Sequence, residues 1–216
     1  MNNIRLFIVI AIMLATGIAH SQEKTHGLII KYDIMSLLGD QVTNSTGIMM
    51  GVEYFNKANR SFAIDAMYIF PCEACGKPYT SITTEKTNGF SLSTENRFYL
   101  FPGKHPFTGF HLGPQIYYQY TISDMRETFN EGRENIYQVY RNLFAVHAMA
   151  GYQLRIAGPL FFNPSIGLGL RYINSRNENK MGPDSGQHEF PYNKDYESGA
   201  EWFLSFKVNL KIGLKL

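Results

Sequence analysis

Residues 202–216 read WFLSFKVNLKIGLKL, and their spacing predicts the fold. Trp202, Leu204, Phe206, Val208, Leu210, Ile212, Leu214 and Leu216 are apolar. Ser205, Lys207, Asn209, Lys211, Gly213 and Lys215 alternate with them, and only Phe203 breaks the polar face. A period of two belongs to a strand with one apolar and one polar side. On a helix, at about 100° per residue, the same apolar positions scatter around the wheel. Strands of soluble sheets run to about 5–6 residues, whereas a tilted strand that crosses a bilayer needs about 9–11. The length of this alternation points to a membrane.

Upstream, the pattern recurs seven times. Leu28, Ile30, Tyr32 and Ile34 oppose Lys31 and Asp33, and Ile48, Met50, Val52 and Tyr54 oppose Gly51 and Glu53. Phe62, Ile64, Ala66 and Tyr68 oppose Ser61 and Asp65; Phe90, Leu92, Phe98 and Leu100 oppose Glu95 and Arg97, with Thr94 and Asn96 weakening that strand. Phe110, Leu112, Ile116, Tyr118 and Tyr120 oppose His111 and Gln115. Phe144, Val146, Ala148 and Tyr152 oppose His147 and Arg155, and Ile166, Leu168, Leu170 and Tyr172 oppose Ser165 and Arg171. Segments 56–60, 102–106 and 157–160 read as tight turns, 39–45 as a modest loop, and 72–88, 123–138 and 177–198 as long polar loops. Short turns at one end and long loops at the other are the asymmetry of a membrane barrel. The expected fold is therefore all-β: an eight-stranded antiparallel up-and-down transmembrane β-barrel with short periplasmic turns and long outer loops.

The beginning of the chain agrees. Asn2, Asn3 and Arg5 precede an apolar run from Leu6 to Ala15, and Ala19-His20-Ser21 offers a cleavage site before Gln22. Residues 1–21 read as a secretory signal peptide, which leaves 22–216 as one outer-membrane barrel domain. The 20 basic residues nearly balance the 18 acidic ones, and no Lys/Arg-rich run stands out, so nucleic acid is excluded as a partner. Aromatic residues make up 14% of the chain, enough for a bilayer band with interfacial belts.

Alternation does not itself say which face is outside, because a lipocalin-like carrier alternates with its apolar face inward. Two features decide for apolar-out. Tyr68, Phe90, Tyr118, Tyr120, Tyr140, Tyr172 and Trp202 fall near the long-loop ends of their strands, as an aromatic girdle does. Lys31, Asp33, Glu53, Asp65, Glu95, Arg97, Arg155, Arg171 and Lys207 lie on the opposite face. They suit the interior of an eight-stranded barrel, which is just wide enough for side chains to fill. These charges read as a plug rather than a gated pore.

The residues that invite chemistry have plainer readings. Cys72 and Cys75 form the only CxxC, in an exported chain, and read as a local disulfide rather than a metal or redox site. His111 and His147 lie on the inward face of neighbouring strands and read as buried, hydrogen-bonded histidines. Their alternative is a lipid-modifying enzyme, in which a histidine activates a hydroxyl or water. No catalytic, cofactor-binding or metal-ligating residue is expected.

The architecture of residues 26–216 resembles the small outer-membrane β-barrels of the OmpA/OmpX type, and the stretch from Gly27 to Phe70 is similar to uncharacterised outer-membrane barrel families. The resemblance implies an integral outer-membrane protein without catalysis, surrounded by outer-membrane lipid and read by the barrel-insertion machinery. A protein or glycan partner would meet the outer loops.

Overall fold

A computed structural model describes residues 27–38, 45–57, 59–72, 82–102, 107–128, 134–181 and 198–216. The signal-like residues 1–21, Cys75 and the loop 39–45 except Ser45 lie outside them. Eight strands follow one another: β1 (Gly27–Asp33), β2 (Ser45–Lys57), β3 (Arg60–Pro71), β4 (Ile82–Pro102), β5 (Gly109–Thr128), β6 (Glu134–Ala157), β7 (Leu160–Glu178) and β8 (Gly199–Lys215). Each pairs antiparallel with its neighbour in sequence, and β1 pairs with β8 to close the ring.

The register fixes the geometry of that ring. Pairing leads from Asp33 through Met49, Met67, Ser91, Gln119, Leu143 and Ile173 to Glu201, whereas Asp33 itself pairs with Lys211, ten residues further on. A stagger of ten residues at about 3.3 Å, over eight spacings of about 4.8 Å, tilts the strands by about 41°. The space enclosed is one that side chains fill.

The alternation read from the sequence sorts by face. Odd-numbered Ile29, Lys31, Asp33, Glu53, Asp65, Glu95 and Arg97 point inward and are at most 3% exposed. Even-numbered positions form the outer wall, where Leu168, Leu204 and Phe206 are each more than 60% exposed. Small residues inside leave room for large ones: a Cβ at Gly51 would meet Asp65 Oδ1 at 2.0 Å, and one at Gly151 would meet the His111 ring at 2.7 Å.

Several segments expected to be loops are strand. β4 begins at Ile82 within the expected loop 72–88, and β5 and β6 run to Thr128 and from Glu134 across most of 123–138. Asp124, Arg126 and Glu134 made that segment look like loop, but the inward residues Met125, Tyr137 and Val139 form a buried apolar cluster. The hairpin is thus held by its own core. Ile34, expected in the first strand, instead begins a 3₁₀ turn (Ile34–Leu37).

At the turn end the interior is closed by Ile29, Phe55, Tyr99, Phe107 and Phe161. Phe107, in the connection between β4 and β5, holds φ at +65°, a left-handed conformation unfavourable for a bulky residue. Packing sustains it: its ring centroid is 4.3 Å from that of Phe55, and Gln153 Nε2 donates to its carbonyl at 2.7 Å. Phe107→Ala should cost about 3–5 kcal/mol, measured by urea unfolding of detergent-folded protein. A loss below about 1 kcal/mol would mean that Phe107 closes nothing.

Candidate functional site

Glu53 is the hub of the turn-side half of the interior. Its carboxylate pairs with Lys31 and accepts from Ser61 Oγ. Arg97 Nη1 donates to Glu53 Oε2 at 3.2 Å, and Tyr99 Oη to its Oε1 at 3.0 Å. The Arg97 fork also reaches Glu95 Oε2 at 2.7 Å and Asn163 Oδ1 at 3.1 Å. Asn163 Nδ2 in turn donates to His111 Nε2 at 2.9 Å. His111 is thereby the Nδ1–H tautomer, with that nitrogen 3.8 Å from Glu95 Oε1. Beside this network, Lys211 Nζ and Ser93 Oγ both donate to Asp65 Oδ2, at 2.7 and 3.0 Å.

The expected interior charges do not all join this network. Lys31, Glu53, Asp65, Glu95 and Arg97 do. Asp33 is buried, but its carboxylate caps the 3₁₀ turn by accepting from Met35 N at 3.0 Å, and it accepts from Leu210 N at 3.2 Å. Arg155 is exposed and donates to the Gly158 carbonyl at 2.6 Å. The wall bulges between Arg155 and Ala157, which takes the side chain out of the inward series. Arg171 lies 5.6 Å from the Phe203 ring and Lys207 4.1 Å from the Tyr117 ring. Lys211, on the polar face of the last strand but outside the expected interior set, is the partner of Asp65. Gln153, Asn163 and Tyr99 are uncharged members that a search for charge passes over.

His111 and His147 are not neighbours. Their strands are adjacent, but the register sets His111 opposite Gly151 and His147 opposite Gln115. His147 instead meets Ser205, Nε2 to Oγ at 2.8 Å, and its Nδ1 is buried without a hydrogen-bond partner. No carboxylate completes a Ser–His–acid arrangement among the described residues. Cys72 is disulfide-bonded, and no group of His, Cys, Asp or Glu among the described residues is placed to hold a metal ion.

The expected girdle residues all lie on the outer wall towards the loop end. Tyr68, Phe90 and Trp202 are at least half exposed. Phe90 lies 6.1 Å from Tyr118 and 6.0 Å from Tyr120, and Tyr172 lies 5.2 Å from Trp202, ring centre to ring centre. Tyr118 Oη donates to Asn142 Oδ1 at 2.8 Å. Above them the wall turns polar, where Tyr120, Tyr140, Asn142, Asn174 and Arg176 line a cavity of about 170 Å³. Between Phe110 and Tyr120 the outward residues of β5 are Leu112, Pro114, Ile116 and Tyr118. Ten residues at about 3.3 Å and a tilt of about 41° rise about 25 Å.

Comparison with protein-family models, curated proteins and solved structures finds no match for this chain.

Substitutions should separate members of the network from bystanders. Arg97→Met leaves Glu53 and Glu95 without their shared cation and should cost about 3–5 kcal/mol. Arg155→Met should change stability by less than about 0.5 kcal/mol. Equal effects of the two in denaturant titrations would contradict this division.

Proposed function

We propose that the protein is an integral outer-membrane β-barrel of the small OmpA/OmpX kind, with a plugged polar interior. It serves as a structural or surface-binding element through its loop end. The observation that carries this reading is the distribution of faces: a continuous apolar wall outward and paired charges inward. Soluble monomers rarely expose contiguous apolar patches beyond a few hundred Å², and this wall encircles the ring. Lipid is the solvent that makes such a surface favourable. A band of about 25 Å between aromatic collars is the dimension of transmembrane barrels, and a tilt of about 41° falls in their range. Closure matters as much, since unpaired strand edges are not tolerated in hydrocarbon.

In this reading the short turns and both chain ends face the periplasm, after export by residues 1–21 and delivery by the barrel-insertion machinery. The β5–β6 hairpin rises past the aromatic collar with Asp124, Arg126 and Glu134 on its outer face, and Arg126 Nη1 reaches Glu134 Oε2 at 3.2 Å. With the remaining outer loops, it is the surface offered to a protein or glycan partner.

Ser205 beside His147 is the observation that favours the enzyme alternative; among the described residues no carboxylate joins them, and their inward position speaks against it. A lipocalin-like carrier would need an apolar interior, and the middle of this one is crossed by paired charges and amides.

Heat-modifiable gel mobility, with urea or carbonate extraction of membranes, tests the reading. The folded protein should shift in mobility on boiling and stay in the membrane pellet. Ile166→Arg, on the outer wall of β7 between Phe162 and Tyr172, should weaken folding in a bilayer by about 2–4 kcal/mol. A wall facing water would tolerate that arginine within about 0.5 kcal/mol, and that outcome, or release of soluble protein, would refute the membrane assignment.

A further inference from the structure

The two halves of the ring interior treat their cations differently. In the turn-side half three inward cations have a carboxylate: Lys31 meets Glu53, Arg97 meets Glu53 and Glu95, and Lys211 meets Asp65, while Lys215 at the rim lies over the Phe107 ring. Towards the loop end lies a cavity of about 210 Å³ lined by Tyr117, Gln119, His147, Arg171, Ser205 and Lys207, with no carboxylate on its walls. Lys207 Nζ is enclosed there with no hydrogen-bond acceptor. It lies over the Tyr117 ring, 4.1 Å from the centroid.

An ammonium taken out of water with no acceptor in contact is disfavoured. The carboxylates of Asp65, Glu95 and Asp33 act on Lys207 only from a distance, and a cation–π contact offsets only part of the cost. Several of the polar side chains around it can donate. His147 Nε2 and Ser205 Oγ share a hydrogen bond at 2.8 Å; in the tautomer with the hydrogen on Nε2, the serine hydrogen is left to point into the cavity. Tyr117 Oη donates to Gln119 Oε1, which leaves the Gln119 amide hydrogens as further donors. Cations and hydroxyl or amide donors converging on a space with no acidic wall describe a receptor for an anion. The space exceeds a single halide, and charge-assisted bonds from several directions suit a group with several oxygens.

We propose that this cavity binds a small oxyanion of the phosphate or carboxylate class, with Lys207 supplying the charge and Ser205 and Gln119 its flanking donors. The assignment does not depend on where the protein resides, because the cavity lies inside the ring in either case.

Equilibrium dialysis with radiolabelled inorganic phosphate tests it. The full chain is folded in detergent, ionic strength is held constant with chloride, and the heat-dependent gel shift confirms a closed ring in every sample. Wild-type protein should take up phosphate saturably, one per chain. Lys207→Met should weaken uptake by about tenfold or more, since a charged donor is lost, while Lys207→Arg should retain it. Ser205→Ala, which removes a donor and no charge, should weaken uptake several-fold and serves if the Lys207 variant does not fold. No saturable uptake by folded wild-type protein would mean that Lys207 is neutralised from within the chain, and would overturn the proposal. Uptake unchanged in both Lys207→Met and Ser205→Ala would place the phosphate elsewhere and overturn it equally.

Discussion

The pairing of β1 with β8 is the constraint from which the rest of the molecule follows. β1 has only seven residues, yet it pairs along both of its sides. Without it the sheet would carry two open edges of unpaired N–H and C=O groups. Closure does more than satisfy those groups. The ten-residue offset at which the ring closes tilts every strand, and tilt with strand number determines how much space is enclosed. That space admits side chains in close contact, so every inward residue has to be accommodated against residues from across the ring.

The inward face meets this demand by combining opposite charge with differences in size. Glu53 gathers Lys31, Arg97, Ser61 and Tyr99 around one carboxylate. Amides and a histidine extend the network, through Asn163 to His111 and through Gln153 to the Phe107 carbonyl. Buried ions are tolerated only when paired and hydrogen-bonded, and removing one partner is more damaging than never having had the pair. The apolar cluster around Phe55 and Phe107 seals this half from the turn side. The loop-side half, with Lys207 over Tyr117 and His147 on Ser205, follows a different rule and leaves a cationic space.

The outer wall is the complement of this interior. In a soluble protein the apolar residues of a sheet face inward and the charges outward; here the two are exchanged over the whole ring. In the membrane reading that exchange has one cause, which is that the solvent outside is hydrocarbon. The same reading assigns roles along the strands. The lower two-thirds of β5 and β6 form wall, and their upper third, with its own buried Met125, Tyr137 and Val139, is a projecting surface.

Strand number, strand order along the chain and the assignment of residues to two faces were legible in the sequence. All three follow from a period of two, which is a property of neighbouring residues and survives without knowledge of the fold. The projecting hairpin was not legible, because Asp124, Arg126 and Glu134 resemble loop composition and the inward cluster that stabilises them forms only once the two strands pair. Partnerships inside the ring were not legible either. Lys31 reaches Gln153, 122 positions away, and Lys211 reaches Asp65, 146 positions away. Such pairs are set by the stagger at closure, a sum over all eight registers that no single strand contains. So the sequence by itself determined which residues face inward, Arg155 at the bulge apart, and that their charges need partners. Only the tertiary structure decided that Arg155 lies outside, that Asp33 caps a turn, that His111 and His147 stand apart and that Lys207 faces a space of donors. The physical reason is that facing is fixed by local backbone geometry, whereas contact across the ring depends on where the last strand meets the first.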